Sequence, residues 1–325
     1  MSESKPRLLD PLVIPECLWS HEAEVLFIPP SLATAYGTLV DRHSLRGLAQ
    51  SRDTDNPPVG GVSQARTDEH FAQAFDGSVA RVELALLDPK ESHSQCSDAL
   101  VGSLAGGKLC LTDAPCGAGA AALSLLSTIA ELRAQGTLPR QPLDVCLIGA
   151  EISEPAREYA ASMLQEIRAR LESQAIFVEE EFKRWDVTDP LSNTNLITCA
   201  TIKSAKASQR LLVIANFNAF LQREGKRKAA EPQIEELFRH ASGSNSLAIW
   251  MEPAMNRATA QGGLYPWLKS LLLTAWRRFA RQNSGQSGTD PVSTCAARFS
   301  TPLRPSETAR VTLAIMRIDL VRSDE

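Results

Sequence analysis

The residues best suited to bind a ligand lie together in residues 108–126, KLCLTDAPCGAGAAALSLL. An apolar run at 109–112 ends at Asp113, which predicts a buried parallel strand with a carboxylate at its carboxyl end. A turn of small residues at 114–119 follows, and a helix is expected after it. Small side chains let a ligand approach the backbone amides of the turn, and the helix directs its positive end there. The pattern indicates a turn that binds a nucleotide-like ligand, although an ordinary strand–turn–helix unit also explains it.

Four further strand-like runs follow along the chain, and each carries a polar or acidic residue at or near its end. The runs are at 143–150, 175–187, 210–217 and 247–250, with Glu151, Asp186, Asn216 and Glu252 in the end positions. Helical stretches alternate with the runs, which is typical of an α/β sheet with parallel strands. Ligands bind at the carboxyl ends of the strands in such sheets. We therefore expect these side chains to meet at one edge of the sheet.

Two final strand runs, 292–301 and 309–321, are joined by a short segment at 302–307, which predicts an antiparallel hairpin. The predicted fold is therefore α/β, with a seven-stranded, mostly parallel, doubly wound sheet that ends in this hairpin. Three successive glutamates at 179–181 are unusual in a central strand, so the third strand is expected toward an edge of the sheet. An amphipathic, aromatic stretch at 264–280 predicts a helix that covers the sheet, followed by a polar loop at 282–290.

The first hundred residues carry few strand signals, and we interpret them as a mainly helical cap over the ligand-binding end of the sheet. A polar, Pro- and Gly-rich stretch at 51–64 predicts a mobile loop. Helical spacing at 67–87 predicts two helical pieces, with Thr67 as the cap and a break at Asp76-Gly77.

The chain is accordingly divided into two predicted domains, a cap at 1–100 and a Rossmann-like domain at 101–325. The cap offers candidate site residues in Tyr36, His70, Phe75 and Arg81. Three of these residues also have an ordinary structural explanation. Phe75 is explained well as a core residue, and His70 and Arg81 are explained well as surface residues.

The segment D-A-P-C-G-A-G at 113–119, with Glu151, Asp186 and Asn216-Phe217, resembles the class I S-adenosylmethionine-dependent methyltransferases. The resemblance covers about residues 109–320, and Pro115 stands where the family's commonest pattern has its first Gly. It implies that the turn contacts the amino-acid part of the cofactor, that Glu151 holds the ribose hydroxyls, and that Asp186 contacts the adenine amine. The end of the fourth strand would lie beside the methyl donor. The cofactor-binding residues it implies are Asp113, Ala114, Pro115, Cys116, Gly117, Gly119, Glu151, Ile152, Asp186, Val187, Asn216 and Phe217.

A nicotinamide dinucleotide is the competing cofactor, since residues 117–122 also satisfy G-x-G-x-x-A and an NAD(P)-dependent oxidoreductase would use that motif. Its ribose-binding acid is expected about 20 residues further on, whereas Glu151 lies roughly 30 residues beyond the turn. The predicted C-terminal hairpin also favours the methyltransferase fold. A third hypothesis is a protein that binds S-adenosylmethionine without catalysis, as a sensor or an assembly partner.

The methyl acceptor is not identified by the sequence, and RNA, protein and small molecules remain as classes. No Cys–His or carboxylate pair suggests a general base, and the candidates for handling the acceptor are Asn216, Glu252 and His70. The fourth strand lacks the Pro-Pro pair of enzymes that methylate exocyclic amines in DNA or RNA. A net charge of −4 and a pI of about 5.8 also give no support to a nucleic-acid partner. The basic cluster at 224–228 could contact phosphate, although it is small enough to be a solvated loop.

Seven cysteines occur without any C-x-x-C pair, which indicates reduced thiols and predicts neither a disulfide framework nor a metal site. The amino terminus has no signal-peptide pattern, and no apolar run reaches the length of a membrane span. From these features we expect a cytoplasmic protein that does not bind membranes.

Overall fold

The computed structural model describes residues 6–51, 60–254 and 292–320, which form an α/β fold with one mixed sheet. The strands are β1 (Trp19–Ser20), β2 (Val25–Phe27), β3 (Gly107–Asp113), β4 (Leu143–Glu151), β5 (Ile176–Arg184), β6 (Gln209–Ala215), β7 (Ser246–Glu252), β8 (Val292–Thr301) and β9 (Arg304–Asp319). The helices are α1 (Pro30–Arg42), α2 (Arg46–Gln50), α3 (Gln64–Leu87), α4 (Ser94–Leu104), α5 (Ala120–Ala134), α6 (Glu154–Ser173), α7 (Pro190–Ser204), α8 (Asn218–Arg223) and α9 (Arg227–Ala241).

The strands lie in the order β1-β2-β8-β9-β7-β6-β3-β4-β5. Strands β3 to β7 are parallel, and β9 runs antiparallel between β7 and β8. The chain moves outward from β3 to β5 and then returns to the other side of β3 with β6. This reversal creates a crevice at the carboxyl ends of β3 and β6, which is where open α/β sheets bind ligands.

Hydrophobic residues pack on both faces of the sheet, as expected for a doubly wound fold. Along β3, Leu109 and Leu111 belong to one buried cluster, whereas Cys110 between them belongs to a second cluster. Alternate side chains of a strand point to opposite faces, so the two clusters lie on opposite sides of the sheet. The first cluster also contains apolar residues of the amino-terminal helices, such as Phe71 and Leu87. The division into domains at residue 100 stays a prediction.

The predicted number of seven strands is too small, because β1 and β2 from the amino-terminal region extend the sheet. Strand β2 pairs in parallel with β8, with Leu26 opposite Phe299. Both additional strands are too short to produce an alternating pattern that could be read from the sequence. The edge position expected for the third predicted strand is confirmed, since β5 ends the sheet.

Two helical predictions are wrong in detail. Helix α3 is continuous through Asp76 and Gly77, and its cap is Ser63, whose hydroxyl accepts the amide of Arg66 at 3.4 Å. Burial of most of α3 outweighs the cost of one interior glycine, about 1 kcal/mol. The largely polar segment that follows β5 also forms a helix, α7. Its cap is Asp189, whose carboxylate accepts the amide of Leu191 at 2.9 Å.

The carboxyl-terminal hairpin is confirmed, but β9 begins at Arg304, so the connection after Thr301 is shorter than the predicted 302–307. Ser153 caps α6, with its hydroxyl accepting the amide of Ala156 at 3.3 Å. The helix predicted at 264–280, the loop at 282–290 and most of the loop at 51–64 lie outside the described residues.

The junction between β3 and α5 depends on a glycine and a distant carboxylate. Gly119 occupies the cap position of α5 with φ +84° and has no side chain to cap the helix. Asp113, at the end of β3, supplies the missing acceptor, because its Oδ2 accepts the amide of Ala122 at 3.1 Å. A Cβ at Gly119 would lie 2.9 Å from Leu123 Cδ1 and 3.2 Å from Ala160 Cβ. Both the backbone and the packing therefore require glycine here.

Replacing Gly119 by alanine should destabilise the fold by more than the strain of its positive φ alone. Gly136 provides a matched control, because it has φ +75° and a Cβ there would meet no atom within 4 Å. We expect Gly136→Ala to lower the free energy of unfolding by about 1 kcal/mol, from backbone strain. Gly119→Ala should lose a further 1–3 kcal/mol or so from overpacking. Urea unfolding measures both values, and equal losses would contradict the packing argument.

Candidate functional site

A cavity of about 850 Å³ opens at the carboxyl ends of the central strands, between them and helix α3. Its lining comes from α3, the turn after β3, the ends of β4 and β6, the residues after β5, and the β8–β9 hairpin. Sites for small molecules usually span roughly 300–1,000 Å³. The cavity lies at the crevice that the strand order creates, and it can hold more than one small ligand group.

Most of the predicted cofactor-binding residues meet at this cavity. Those that line it are Pro115, Cys116, Gly117, Glu151, Ile152, Asp186, Val187, Asn216 and Phe217. Asp113, Ala114 and Gly119 are buried and absent from the lining. Of the other candidates, His70, Phe75 and Arg81 line the cavity. Tyr36 does not, because its hydroxyl is buried against the carbonyls of Phe71 and Ala72.

The glycine turn is tied to β4 by two backbone contacts. The amide of Cys116 donates to the carbonyl of Ala150 at 2.9 Å, and the amide of Gly117 donates to Glu151 Oε2 at 3.2 Å. Gly117 has φ +52°, and a Cβ there would meet nothing within 4 Å. Because Gly117 lines the cavity, its missing side chain leaves space there for a ligand. Burial raises the pKa of the Cys116 thiol, which makes this thiol a poor nucleophile.

Glu151 presents a largely buried carboxylate at the end of β4. Its Oε1 accepts the amide of Ser153 at 2.8 Å, and its Oε2 accepts the amide of Gly117. Burial raises the pKa of Glu151, and these backbone hydrogen bonds only partly oppose the effect. Each carboxylate oxygen has a second lone pair. Glu151 can therefore accept hydrogen bonds from two ligand hydroxyl groups while it holds the turn.

Asp186 lies on the same cavity, just after β5. Burial acts to raise its pKa, but hydrogen bonds from Thr188 and the charges of Lys226 and Arg184 outweigh burial, so the pKa is lowered. Both Thr188 bonds, from the amide at 2.9 Å and from the hydroxyl at 2.7 Å, go to Oδ1. Oδ2 accepts no hydrogen bond from the described residues, which leaves it able to accept one from a ligand amine.

Aromatic side chains form an apolar wall beside Asp186. The rings of Trp185 and Phe217 lie 5.8 Å apart, and those of Phe217 and Phe220 stack at 6.0 Å with an angle of 10°. All three residues line the cavity. A flat heteroaromatic group is suited to such a wall, because stacking and apolar burial both favour it.

Asn216 joins the end of β6 to helix α3. Its Oδ1 accepts from Arg81 Nη1 at 2.6 Å, and its Nδ2 donates to Ser78 Oγ at 3.2 Å. Arg81 Nε also donates to the carbonyl of Thr312 in β9 at 2.9 Å. Burial lowers the pKa of Arg81 to about 10, with the charge of Glu252 acting in the opposite direction. The arrangement fixes the orientation of the Asn216 amide on the cavity surface.

Glu252 does not reach the cavity. This carboxylate is fully buried, and its Oε1 accepts the amides of Phe217 and Asn218 at 2.9 and 2.7 Å, together with Trp250 Nε1 at 2.8 Å. Burial raises the pKa of Glu252 in spite of these donors. Its position indicates that it holds the turn after β6, and through that turn it positions Asn216 and Phe217.

His70 lies on the opposite wall, in α3. Burial lowers its pKa to about 4, and the positive charge of Arg223 contributes to the shift. Its imidazole is therefore neutral near pH 7, and one of its ring nitrogens can accept a hydrogen bond or a proton.

Four cations of the lining were missing from the sequence-based candidates, namely Arg223, Lys226, Arg304 and Arg310. Arg304, Thr308 and Arg310 are separated by even numbers of residues along β9. Because side chains alternate between the two faces of a strand, this spacing predicts that the three lie on one face. Lys226 belongs to the basic cluster at 224–228. No local sequence pattern shows that the loop carrying this cluster borders the crevice.

Within the described part of the chain, no cluster of three or more His, Cys, Asp or Glu side chains could hold a metal ion. Over the same residues, none of the helices combines the length and the apolar character needed to cross a bilayer.

Neither the known family models nor the curated protein sequences include a match to this chain. One similar solved structure is a "putative class I S-adenosylmethionine-dependent methyltransferase" from Listeria monocytogenes. The match covers 92% of this chain and 88% of that chain, with 11% sequence identity and a TM-score of 0.36. This similarity is too low to support a functional assignment, so the assignment has to come from the geometry of the site.

The carboxyl group of Asp113 should make stability depend on pH. Burial raises its pKa to about 7, the amide of Ala122 opposes that change, and the charge of Glu151 adds to it. In the unfolded chain the group titrates near its ordinary value of about 4. Between these two values the native state binds more protons than the unfolded state. The contribution of Asp113 to stability is therefore complete below about pH 4 and is lost as the pH rises to about 7.

The Asp113→Asn variant removes this titration. From pH 4 to pH 8, the free energy of unfolding of the wild type should fall relative to the variant by as much as about 4 kcal/mol. Urea unfolding at several pH values measures the difference. Asp144→Asn, at an exposed position of β4, is the matched control and should show a constant difference from the wild type. A constant difference for Asp113→Asn as well would contradict the assignment.

Proposed function

We propose that this protein is an S-adenosylmethionine-dependent methyltransferase. The observation that carries the proposal is the convergence of the Gly117 turn, Glu151 and Asp186 on one cavity at the β3–β6 crevice. A glycine turn suits the polar tail of the cofactor, one carboxylate suits its ribose, and the other suits its adenine amine. These roles match those that the sequence resemblance implies for the same residues.

The residues present fit an adenosyl group in their hydrogen-bonding capacity. Glu151 retains lone pairs on both oxygens for the two ribose hydroxyls. Asp186 Oδ2 is available for the adenine amine, beside the aromatic wall of Trp185 and Phe217. The open space at Gly117 allows a ligand to approach the backbone of the turn. The ribose hydroxyls would also stabilise the charged form of Glu151 that burial disfavours.

When bound, S-adenosylmethionine supplies a methyl group that its sulfonium already activates. The protein therefore has to hold an acceptor in line with that methyl group, at roughly 3 Å, and to exclude water. Asn216 has its amide fixed by Arg81 and Ser78 at the end of β6. We assign it to orienting the acceptor. His70, neutral near pH 7, is the group assigned to accept a hydrogen bond from the acceptor, since burial disfavours its protonated form.

The Glu151→Gln variant tests the cofactor assignment. The amide oxygen of glutamine can still accept the Gly117 amide, but a charge and one acceptor oxygen are lost. We expect S-adenosylhomocysteine to bind 10- to 100-fold or so more weakly, by isothermal titration calorimetry, and the free energy of unfolding to fall by about 1–3 kcal/mol because the Ser153 amide loses its acceptor. Glu158→Gln, at an exposed position of α6, is the matched control and should bind as the wild type does. Unchanged affinity in Glu151→Gln would contradict the assignment.

Parallel titrations separate the competing hypotheses. Wild-type protein that binds NAD or NADP but not S-adenosylhomocysteine would overturn the proposal in favour of an oxidoreductase. Protein that binds S-adenosylmethionine but transfers no labelled methyl group to any component of a cell extract would favour the non-catalytic binder.

A further inference from the structure

The acceptor side of the cavity carries an excess of positive charge. The β4 and β5 ends, with Glu151 and Asp186, lie on one side of the β3–β6 crevice, whereas the β8–β9 hairpin lies on the other side. On that second side and around α8, four cations line the cavity, namely Arg223, Lys226, Arg304 and Arg310. We propose that this cationic half, defined by those four residues, binds an acidic small-molecule acceptor through its carboxylate or phosphate group. The inference rests on the proposed function, since it assigns the remainder of that site.

The balance of charge in the described lining supports this assignment. Its carboxylates are Glu151, Asp186 and Glu307, and the first two are already assigned to the adenosyl group. Only Glu307 remains for the cationic half, where it pairs with Arg304 at 3.0 Å. A fifth cation, Arg81, is already hydrogen-bonded to Asn216 Oδ1 at 2.6 Å and to the carbonyl of Thr312 at 2.9 Å. Of the other three cations, Lys226 acts on Asp186, whose pKa its charge lowers, so Arg223 and Arg310 are left without a matching carboxylate in the lining.

Those three cations have weak partners among the described residues. Arg223 has a carboxylate only at 4.0 Å, in Glu224, and Lys226 stands 5.4 Å above the ring of Phe220. Arg310 forms no ion pair with any described residue. Burial, together with the neighbouring charge of Arg66, lowers the pKa of Arg223. An anion bound at Arg223 would oppose both effects and stabilise the charged form of its guanidinium.

The form of the site favours a small molecule over a nucleic acid. The four side chains line a cavity of about 850 Å³ that the adenosyl group must share, and they do not form an extended basic tract. The chain as a whole has a net charge of −4, so no global field attracts a polyanion. Guanidinium groups form bidentate, charge-assisted hydrogen bonds with carboxylates and phosphates, which accounts for three arginines in this half.

The test measures anion binding by calorimetry at low ionic strength, with and without saturating S-adenosylhomocysteine. The probes are inorganic phosphate, succinate and a ten-nucleotide single-stranded RNA. We expect phosphate or succinate to bind, and the stronger of the two identifies the acidic group. The double variant Arg223→Gln, Arg310→Gln should bind that anion at least about tenfold more weakly. Arg140→Gln, at an exposed position outside the lining, is the matched control and should behave as the wild type.

Two results would overturn the inference. One is that the small anions do not bind at this site: neither phosphate nor succinate binds, or the double variant leaves their binding unchanged. The other is RNA binding that the double variant abolishes and that exceeds the binding of both small anions, which would make a nucleic acid the acceptor. Failure of S-adenosylhomocysteine to bind would instead count against the proposed function, and the titrations without it would still decide the anion question.

Discussion

The contact between the Gly117 amide and the Glu151 carboxylate is the interaction on which the rest of the site depends. It joins the turn after β3 to the end of β4 through a hydrogen bond of 3.2 Å between the Gly117 nitrogen and Glu151 Oε2. The carboxylate is also largely buried. Burial raises its pKa more than the hydrogen bonds from backbone amides lower it. A buried acceptor that keeps unused lone pairs is a poor structural element but a good ligand-binding group. The Glu151 side chain thus shapes the cavity and also keeps hydrogen-bonding capacity that a ligand can use.

The parts of the molecule that could be predicted are those that local sequence determines. The apolar run before Asp113, the glycine turn and the alanine-rich helix are contiguous, and each conforms to a short-range rule. Because the carboxyl ends of parallel strands must lie at one edge, the polar residues Glu151, Asp186 and Asn216 could be brought together without knowledge of side-chain positions. Strand β5 could even be placed near an edge, since three glutamates do not suit a strand buried on both faces.

The parts that could not be predicted depend on contacts between distant segments. Strands β1 and β2 exist because β8 provides a partner for β2, and two or three residues carry no periodicity of their own. Helix α3 continues through Gly77 because it is packed on several sides, which local propensity does not report. The contact of Arg81 with Asn216 joins residues 135 positions apart, and the four cations of the cationic half come from α8, the residues after it and the distant strand β9.

Three acids at strand ends show why position alone does not establish a role. Asp113, Glu151 and Glu252 each follow a central strand, and burial raises the pKa of each. Asp113 serves the amide of Ala122, and Glu252 serves those of Phe217 and Asn218, so both hold turns and neither lines the cavity. Glu151 holds a turn as well, yet it alone of the three also faces open space. A site on this fold therefore needs two kinds of acid: enclosed acids that hold the turns, and one acid that holds a turn and also faces the cavity, where a ligand can reach its lone pairs.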